Sequence, residues 1–354
     1  MRKRLIINIL LTIITLLSYF STILSPTWWW LFGFMAMLIP VCLALQFMFF
    51  FYWLYYRKLL FACLPLVILI FGFPFLKASI AINFSKELLK TDKEFSVLSY
   101  NVKVFNAYTK ENKGYKNSKY LVNWLKDDNS AIKCLQEFYY IPKHEVFNTV
   151  AFLEKNNKYH SYFQCAMTDK IGGKFGLAIF SKFPILNKGE IDLKDKSHND
   201  AIFADILMGN DTLRIYNIHL QSMKINQKSM TDADKWKENI IDITQRLRKG
   251  FAARSKQVDI IAAHISKSPY PIILCGDLND LPYSYTYFRL KRHLNNAFED
   301  AGNGFEVSLN SSIFYVRIDN QFYSPEINIF DYKTINEVTY SDHFPVKATY
   351  SLTK

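Results

Sequence analysis

The first 80 residues constrain the fold most strongly, because they contain three long stretches without a charged residue, at 5–24, 28–56 and 59–76. Twenty apolar residues form about 30 Å of helix, which matches the hydrocarbon core of a bilayer. We therefore expect three transmembrane α-helices, at about 5–24, 28–56 and 59–80. A signal peptide is the alternative for the first stretch and a buried re-entrant pair for the later ones, although a signal peptide would need a shorter apolar core.

The basic residues next to these stretches predict their orientation. Residues 2–4 are all basic, Arg57 and Lys58 separate the second stretch from the third, and the turn at 25–27 carries no charge. The positive-inside rule places the N-terminus and the Arg57–Lys58 turn in the cytoplasm. Three crossings then leave the rest of the chain on the non-cytoplasmic side. We expect an integral membrane protein, in an inner membrane, with a periplasmic or extracellular domain. No obligate protein partner is indicated beyond the lipid bilayer.

From residue 95 onward the pattern changes to short apolar strands that alternate with amphipathic helices, which is typical of an α/β domain. Two helices are predicted in the middle of this region, at 227–249 and 254–267. The expected organisation is a membrane segment at 1–81 and an α/β domain at 95–354. Positions 1–81 hold six basic and no acidic residues, so the remainder keeps a net charge of +6. This mild excess is compatible with an anionic substrate or a headgroup surface.

The stretch 270–280 reads as a buried strand that ends in the motif Gly276-Asp277-Leu278-Asn279. We expect Gly276 to allow a sharp turn, so that Asp277 and Asn279 emerge together at the edge of a sheet. Carboxylate and carboxamide oxygens are ligands that suit Mg²⁺. An ordinary strand-to-loop turn is the alternative explanation of this stretch alone.

Polar residues at the ends of other predicted strands support a Mg²⁺ site rather than an ordinary turn. Because strands of one sheet can gather such groups in a single cleft, we expect these residues to share a site. Each of them alone would be explained as a turn residue, an exposed acid or a structural histidine. The candidate residues are Asn101, Glu137, His219, Asp277, Asn279, Asp319, Asp342 and His343.

Six short motifs occur in an order that resembles the endonuclease/exonuclease/phosphatase superfamily, over about residues 95–352. They are Ser99-Tyr100-Asn101-Val102, Leu135-Gln136-Glu137, Asn217-Ile218-His219-Leu220, Gly276-Asp277-Leu278-Asn279, Arg317-Ile318-Asp319 and Ser341-Asp342-His343-Phe344-Pro345-Val346. The resemblance implies a four-layer α/β/β/α sandwich like that of deoxyribonuclease I, preceded here by the membrane helices. It also implies a metal-dependent hydrolase that acts on phosphoester bonds.

The resemblance assigns three residues to a metal site. Glu137 would be the principal metal carboxylate with Asn101 beside it, and Asp342 would complete the metal site or its surroundings. The implied cofactor is Mg²⁺, with Mn²⁺ as an alternative metal. Such a metal neutralises the non-bridging oxygens of a phosphoester.

The resemblance assigns five residues to catalysis. Asp277 would orient or deprotonate the attacking water, and Asn279 would hold a phosphate oxygen. His343 would contact the phosphate or act as a base, oriented by Asp319, and His219 would assist the leaving group. The chain departs from the family pattern after Asp319, where Asn320 and Gln321 replace the usual aromatic and apolar pair.

The expected function is that of a phosphodiesterase or endonuclease. A phospholipid or inositol/sugar-phosphate hydrolase is the first alternative, and a non-catalytic membrane-bound binding module is the second. A basic, mixed-charge region favours nucleic acid. Aromatic residues after Asp277 favour a lipid surface, although core packing explains them as well. These residues are Lys224, Lys228, Lys235, Lys237, Arg246, Arg248 and Lys249 for the basic region, and Tyr283, Tyr285, Tyr287 and Phe288 for the aromatic segment.

Overall fold

The computed structural model describes residues 2–83, 94–109, 113–155, 158–194, 200–223, 236–311 and 314–352. The chain forms two compact units. The helical unit comprises Met1–Ile80, Met223–Val258 and Asp280–Arg289. The sheet unit comprises Ala81–Ser222, Asp259–Asn279 and Leu290–Lys354. Four lysines of the basic region fall outside this description: residues 224, 228 and 235 are not among the described residues, and only the backbone of residue 237 is described.

The N-terminal part of the helical unit contains five helices. They are α1 (Arg2–Ser21), α2 (Leu31–Met37), α3 (Ile39–Tyr55), α4 (Leu59–Phe71) and α5 (Phe73–Ser79). In the described part of the chain, α1 alone is long and apolar enough to cross a membrane without a break. The other four helices form two pairs, α2 with α3 and α4 with α5, bent by 44° and 52°.

The structure therefore corrects the prediction of three long helices. Three spans result only if each bent pair counts as one span. Pro40 and Pro74 lie in the first turns of α3 and α5, where the breaks occur. Proline lacks an N–H group and clashes with the preceding helical turn, so a helix ends shortly before it. Pro65 lies inside α4 without a comparable break.

The sheet unit contains two six-stranded sheets. The first has the order β13-β14-β2-β3-β5-β4 and the second β10-β12-β9-β8-β7-β6. The strands of the first sheet are β2 (Phe95–Asn101), β3 (Ile132–Tyr140), β4 (His160–Thr168), β5 (Lys174–Ser181), β13 (Ile327–Thr334) and β14 (Val346–Leu352). Those of the second are β6 (Ile185–Glu190), β7 (Ala201–Met208), β8 (Asp211–His219), β9 (Ile272–Asp277), β10 (Asn295–Asn296) and β12 (Asp319–Tyr323).

Apolar side chains from both sheets form one buried core. Val97 and Ile132 of the first sheet belong to the same cluster as Ile215 and Ile273 of the second. Helices cover the outer faces: α6 (Lys116–Asp127) and α7 (Thr149–Glu154) lie over the first sheet, and the end of α8 (Trp236–Ile265) lies over the second. The predicted α/β fold with two packed sheets is confirmed.

Two predicted elements differ in extent. The described part of the helix predicted at 227–249 is continuous with the helix predicted at 254–267, and together they form α8. The helix continues through Gly250 without a break. The described residues also include a two-residue pair, β1 (Ala81–Ile82) with β11 (Asn303–Gly304), the helices α9 (Tyr285–Lys291) and α10 (Ala297–Ala301), and short 3₁₀ helices at Lys103–Asn106 and Lys113–Tyr115.

The aromatic segment after Asp277 is explained by packing. Tyr285 and Tyr287 are buried, and Tyr283 and Phe288 pack against a cluster of residues from the N-terminal helices that includes Phe75. The packing alternative for these aromatic residues is therefore correct.

Candidate active site

Three predicted site residues lie side by side on adjacent strands of the second sheet. His219 on β8 pairs with Asp277 on β9, and Asp277 pairs with Asp319 on β12. Gly276 precedes Asp277, and its role differs from the predicted one. A Cβ atom there would lie 2.0 Å from the carbonyl oxygen of Ile218, so only glycine permits β8 and β9 to approach at this point.

Two further site residues come from the first sheet. Asn101 ends β2, and Glu137 lies in β3 where the pairing with β5 shifts register between Leu135 and Phe138. Glu137 has a φ of 49°, in the left-handed region that residues other than glycine seldom adopt. A bulge of this kind redirects a side chain, and strained residues of this kind cluster at functional sites.

Asp277 is the centre of the contacts among these residues. Its Oδ2 atom lies 3.1 Å from Asn101 Nδ2, 3.7 Å from His219 Nε2 and 3.6 Å from His343 Nε2. Glu137 Oε1 lies 3.3 Å from Asn101 Nδ2 and 3.8 Å from His219 Nε2. The Asn101 side chain therefore bridges two carboxylates that come from different sheets.

His343 and Asp319 form a buried pair. The Nδ1 atom of His343 lies 2.8 Å from Asp319 Oδ2, which leaves Nε2 directed toward Asp277. Burial would lower the pKa of His343, but the charges of Asp319 and Asp277 outweigh burial and raise that pKa to about 10. The imidazole is thus held as a cation at neutral pH.

Burial raises the pKa of Asp319, and the negative charge of Asp277 acts in the same direction against the charge of His343. The backbone N–H of Asp319 donates to Ser308 Oγ at 3.0 Å. Despite the departure from the family pattern, Asn320 and Gln321 are fully buried in β12, so the sheet fixes the position of Asp319.

Asn279 and Asp342 lie at the margin of this cluster. The backbone N–H of Asn279 donates to Asp277 Oδ1 at 2.8 Å, while its side-chain Nδ2 donates to the carbonyl of Leu220 at 3.0 Å. The Asp342 carboxylate pairs with Lys103 Nζ at 3.0 Å, and both side chains are about half exposed. Asn279 is thus attached to Asp277 through its backbone, and Asp342 faces a lysine.

Residues that the sequence did not single out hold the cluster in place. Ser341 Oγ donates to the Asn101 carbonyl at 2.8 Å, and Gln136 Nε2 donates to Asn217 Oδ1 at 2.6 Å between the two sheets. The sequence indicates these residues only through their places in the motifs, since Ser341 precedes Asp342, Gln136 precedes Glu137 and Asn217 precedes Ile218. Lys103, two residues after Asn101, likewise has no predicted role.

The residues present fit a divalent cation. Asp277, Asp319 and His343 bring possible ligand atoms within 4.8 Å of one another, and the two carboxylates, rather than the cationic His343, are the groups that can bind a metal. Among the described residues, the buried Asp319 Oδ1 atom has no hydrogen-bond partner. Glu137, Asp277 and Asp319 supply three carboxylates, and the cation within the group is His343. Since buried charges require compensation, this excess of negative charge favours a bound metal.

Comparison with known proteins gives two family matches. A model described as "Endonuclease/Exonuclease/phosphatase family" matches residues 98–343. A domain of unknown function matches residues 2–79. No curated protein matches the chain.

Solved structures share the fold at low sequence identity. A protein of the endonuclease/exonuclease/phosphatase group from Bacteroides vulgatus is 16% identical with a TM-score of 0.55, covering 75% of this chain and 100% of its own. A mannosyl-6-phosphatase from Bacteroides thetaiotaomicron is 18% identical with a TM-score of 0.52, covering 73% and 100%. D. rerio TDP2 complexed with a single-strand DNA product is 18% identical with a TM-score of 0.50, covering 73% and 100%.

Proposed function

Because the chain belongs to the endonuclease/exonuclease/phosphatase family of divalent-metal-dependent phosphoester hydrolases, we propose that it is a membrane-anchored phosphoester hydrolase. The observation that supports this most directly is the convergence of Asn101, Glu137, His219 and Asp277 with the Asp319–His343 pair at one end of both sheets. A non-catalytic module would have no need for several carboxylates at such short distances.

Glu137 and Asn101 are the proposed metal ligands, and the proposed metal is Mg²⁺, with Mn²⁺ as the alternative. Asp342 is paired with Lys103 and would have to break this ion pair to bind the metal. We therefore propose that Asp342 lies next to the metal site and is not a ligand. When bound, the metal supplies neutralisation of the phosphate charge.

Asp277 is proposed to orient the attacking water, since its Oδ2 atom is the centre of the cluster. The cationic form of His343 suits contact with a phosphate oxygen rather than proton abstraction, because a base must be deprotonated. Asp319 holds the His343 ring in the required orientation. His219 is proposed to assist the leaving group, and Asn279 to hold a phosphate oxygen.

The membrane proposal treats α1 as one span and each bent pair as one further span. Arg4 contacts Tyr52 and lies over the Tyr52 and Tyr56 rings, so the start of α1 and the end of α3 lie at the same end of the helical unit. The basic residues at 2–4, Arg57 and Lys58 are therefore grouped. By the positive-inside rule this end faces the cytoplasm, and the catalytic residues lie on the other side of an inner membrane.

The substrate is proposed to be a phosphoester: a phosphodiester of nucleic acid first, and a phospholipid or a sugar phosphate second. TDP2 and the mannosyl-6-phosphatase, which share the fold, represent nucleic-acid and sugar-phosphate chemistry respectively. The assay must therefore offer DNA, RNA, phospholipid vesicles, a mannose 6-phosphate ester and a small chromogenic phosphodiester.

The full chain, purified in detergent, should hydrolyse at least one of these substrates with Mg²⁺ and lose that activity with EDTA. Glu137→Gln should lower kcat about a thousandfold, because it removes a metal carboxylate without changing side-chain size. Glu145→Gln is a matched control, since the Glu145 side chain is 81% exposed and pairs with Lys119 at the surface. Activity that survives both EDTA and Glu137→Gln would contradict the proposed function.

A topology reporter fused after Lys354 should be active on the non-cytoplasmic side alone. A cytoplasmic signal from the same fusion would show that the proposed number of spans is wrong.

A further inference from the structure

A group of lysines in the sheet unit lies around the Asp128 carboxylate, in the loop before β3. Lys133 Nζ lies 2.5 Å from Asp128 Oδ1, and Lys347 Nζ lies 2.9 Å from Asp128 Oδ2. Because this loop precedes β3 and Asn101 ends the parallel strand β2, the group lies at the opposite end of the first sheet from the candidate active site. We call it the lysine cluster, and it consists of Lys133, Lys158, Lys182 and Lys347.

The Tyr159 ring brings three of these ammonium groups together. The Nζ atoms of Lys133, Lys158 and Lys182 lie 5.4, 5.8 and 5.9 Å from the centre of the ring. The face of an aromatic ring attracts cations. The Tyr159 hydroxyl donates to the Ser130 carbonyl at 2.7 Å, so the ring is held in place. Three positive charges are therefore gathered around one buried side chain, where they repel one another.

The positive charge of the cluster is only partly compensated. In the described part of the chain, the two exposed lysines bind backbone carbonyls rather than carboxylates: Lys158 Nζ donates to Lys126 at 2.8 Å, and Lys182 Nζ to Asn129 at 2.6 Å. Four lysines and the Asp128 carboxylate together carry a charge of +3. Burial lowers the pKa of Lys182, and the neighbouring lysines lower it further against the opposing charge of Asp128. A bound anion would relieve this repulsion.

A cleft adjoins the lysine cluster through Tyr159. It lies between β4 and β6, the end strands of the two sheets, and its volume of about 470 Å³ is within the range of small-ligand sites. Lys188 of β6 adds a cation there, with its Nζ 5.3 Å from the centre of the Tyr162 ring. The Glu154 carboxylate at the rim accepts a hydrogen bond from Ser161 Oγ at 2.5 Å. The cleft is lined by Glu154, Tyr159, His160, Ser161 and residues 185–188.

We propose that the lysine cluster binds a phosphate group, carried by a polar ligand whose remaining atoms lie in the adjoining cleft. Lysine ammonium groups bind phosphate as point charges, and Lys158 and Lys182 are exposed and free of a carboxylate partner in the described chain. Lys133 and Lys347 stay paired with Asp128 and add to the positive field. The cluster lies apart from the catalytic residues, so this inference goes beyond the proposed function and does not rest on it.

The test uses the full chain in detergent, with EDTA present and inorganic phosphate as the probe. Acylation of lysines followed by mass spectrometry should show that phosphate protects Lys158 and Lys182, because a bound anion shields their amines. This readout needs no variant and no turnover. Lys267, which is exposed after α8, should be acylated equally with and without phosphate.

Titration calorimetry measures the contribution of the two exposed lysines. The dissociation constant for phosphate should rise about tenfold in the double variant Lys158→Gln/Lys182→Gln, because hydrogen bonds to charged groups have effects of this size. The double variant Lys158→Arg/Lys182→Arg should retain binding, since it keeps both charges. Lys267→Gln is the matched control, because it removes one exposed lysine charge on the outer side of the second sheet.

The source of the phosphate group is decided by the same labelling in nanodiscs. Protection of Lys158 and Lys182 in nanodiscs that contain phosphatidylglycerol, but not in phosphatidylcholine alone, would identify an anionic lipid headgroup as the ligand. Protection that requires added phosphate in both kinds of nanodisc would identify a dissolved phosphate compound. Equal acylation of both lysines under all these conditions would overturn the proposed site. An unchanged dissociation constant in the double glutamine variant would overturn it as well.

Discussion

The network between α1 and α3 and the cluster around Asp277 bury polar groups in opposite ways. In the helical unit, Gln46 of α3 accepts a hydrogen bond from Asn8 and donates to Thr12 and Thr15, while Trp53 donates to Asn8. These groups are buried, and all of them are neutral. In the sheet unit, the buried cluster around Asp277 consists largely of charged groups.

The difference depends on whether the polar groups of each cluster can satisfy one another's hydrogen bonds and charges. Amides and hydroxyls donate and accept, so the network between α1 and α3 saturates itself and stabilises helix association. Carboxylates only accept, and the three carboxylates around Asp277 outnumber the one cation, His343, so this cluster is suited to receive a metal. A self-satisfied network serves structure, whereas an unsatisfied charged cluster indicates function.

A third buried group sharpens this comparison, because it is charged but each of its charged side chains contacts one of opposite sign. Asp128 pairs with Lys133 at 2.5 Å and with Lys347 at 2.9 Å, and the Lys133 side chain is 0% exposed. We expect Asp128→Asn to lower the free energy of unfolding at pH 7 by about 3–5 kcal/mol, because Lys133 would lose its buried partner. Chemical denaturation measures this. Asp331→Asn, at an exposed position of β13, should have little effect.

The same pair predicts a pH dependence. Burial would raise the pKa of Asp128, but Lys133, Ser130 and Lys347 outweigh burial and hold that pKa below its ordinary value. The stabilisation is therefore present above about pH 4 and lost as the pH falls further. The slope of stability against pH below 4 should be smaller in Asp128→Asn. An identical slope in both proteins would contradict the assignment.

Asp319→Asn changes the unbalanced cluster with a smaller expected effect. It keeps the side-chain size but removes the charge that raises the pKa of His343, so kcat should fall about ten- to a hundredfold. Nuclear magnetic resonance of the metal-free protein should show the His343 pKa moving down from about 10. If that pKa and kcat both stay unchanged, Asp319 does not control the ring.

Gln46→Leu in the neutral network should have the smallest effect. For helices that span a membrane, as we propose for α1 and α3, loss of such hydrogen bonds costs about 1 kcal/mol, because they are individually weak. The thermal midpoint in detergent should fall slightly, and kcat should remain within twofold. Met48→Leu, at a position 65% exposed on α3, is the control. A large loss of activity would mean that the neutral network is more than structural.

Much of the site could be predicted because its residues lie at strand ends, and strand patterns are local. The alternation over 95–101 predicted β2 and with it the position of Asn101. The bulge at Glu137 could not be predicted in this way, since nothing in Leu135-Gln136-Glu137 specifies a left-handed residue. Similarly, the Asp342–Lys103 pair depends on two segments that are distant in sequence.

The sequence by itself determined the apolar N-terminal helices, the α/β class and the family motifs, because periodicity and short motifs are properties of neighbouring residues. Tertiary structure alone decided that the helices break at Pro40 and Pro74 while Pro65 is accommodated, because the cost of a proline depends on the packing around it. It also decided that Phe251 and Asp280–Arg289 pack with the N-terminal helices. Apolar residues in the two regions indicate burial, but only the folded chain determines which surface covers them.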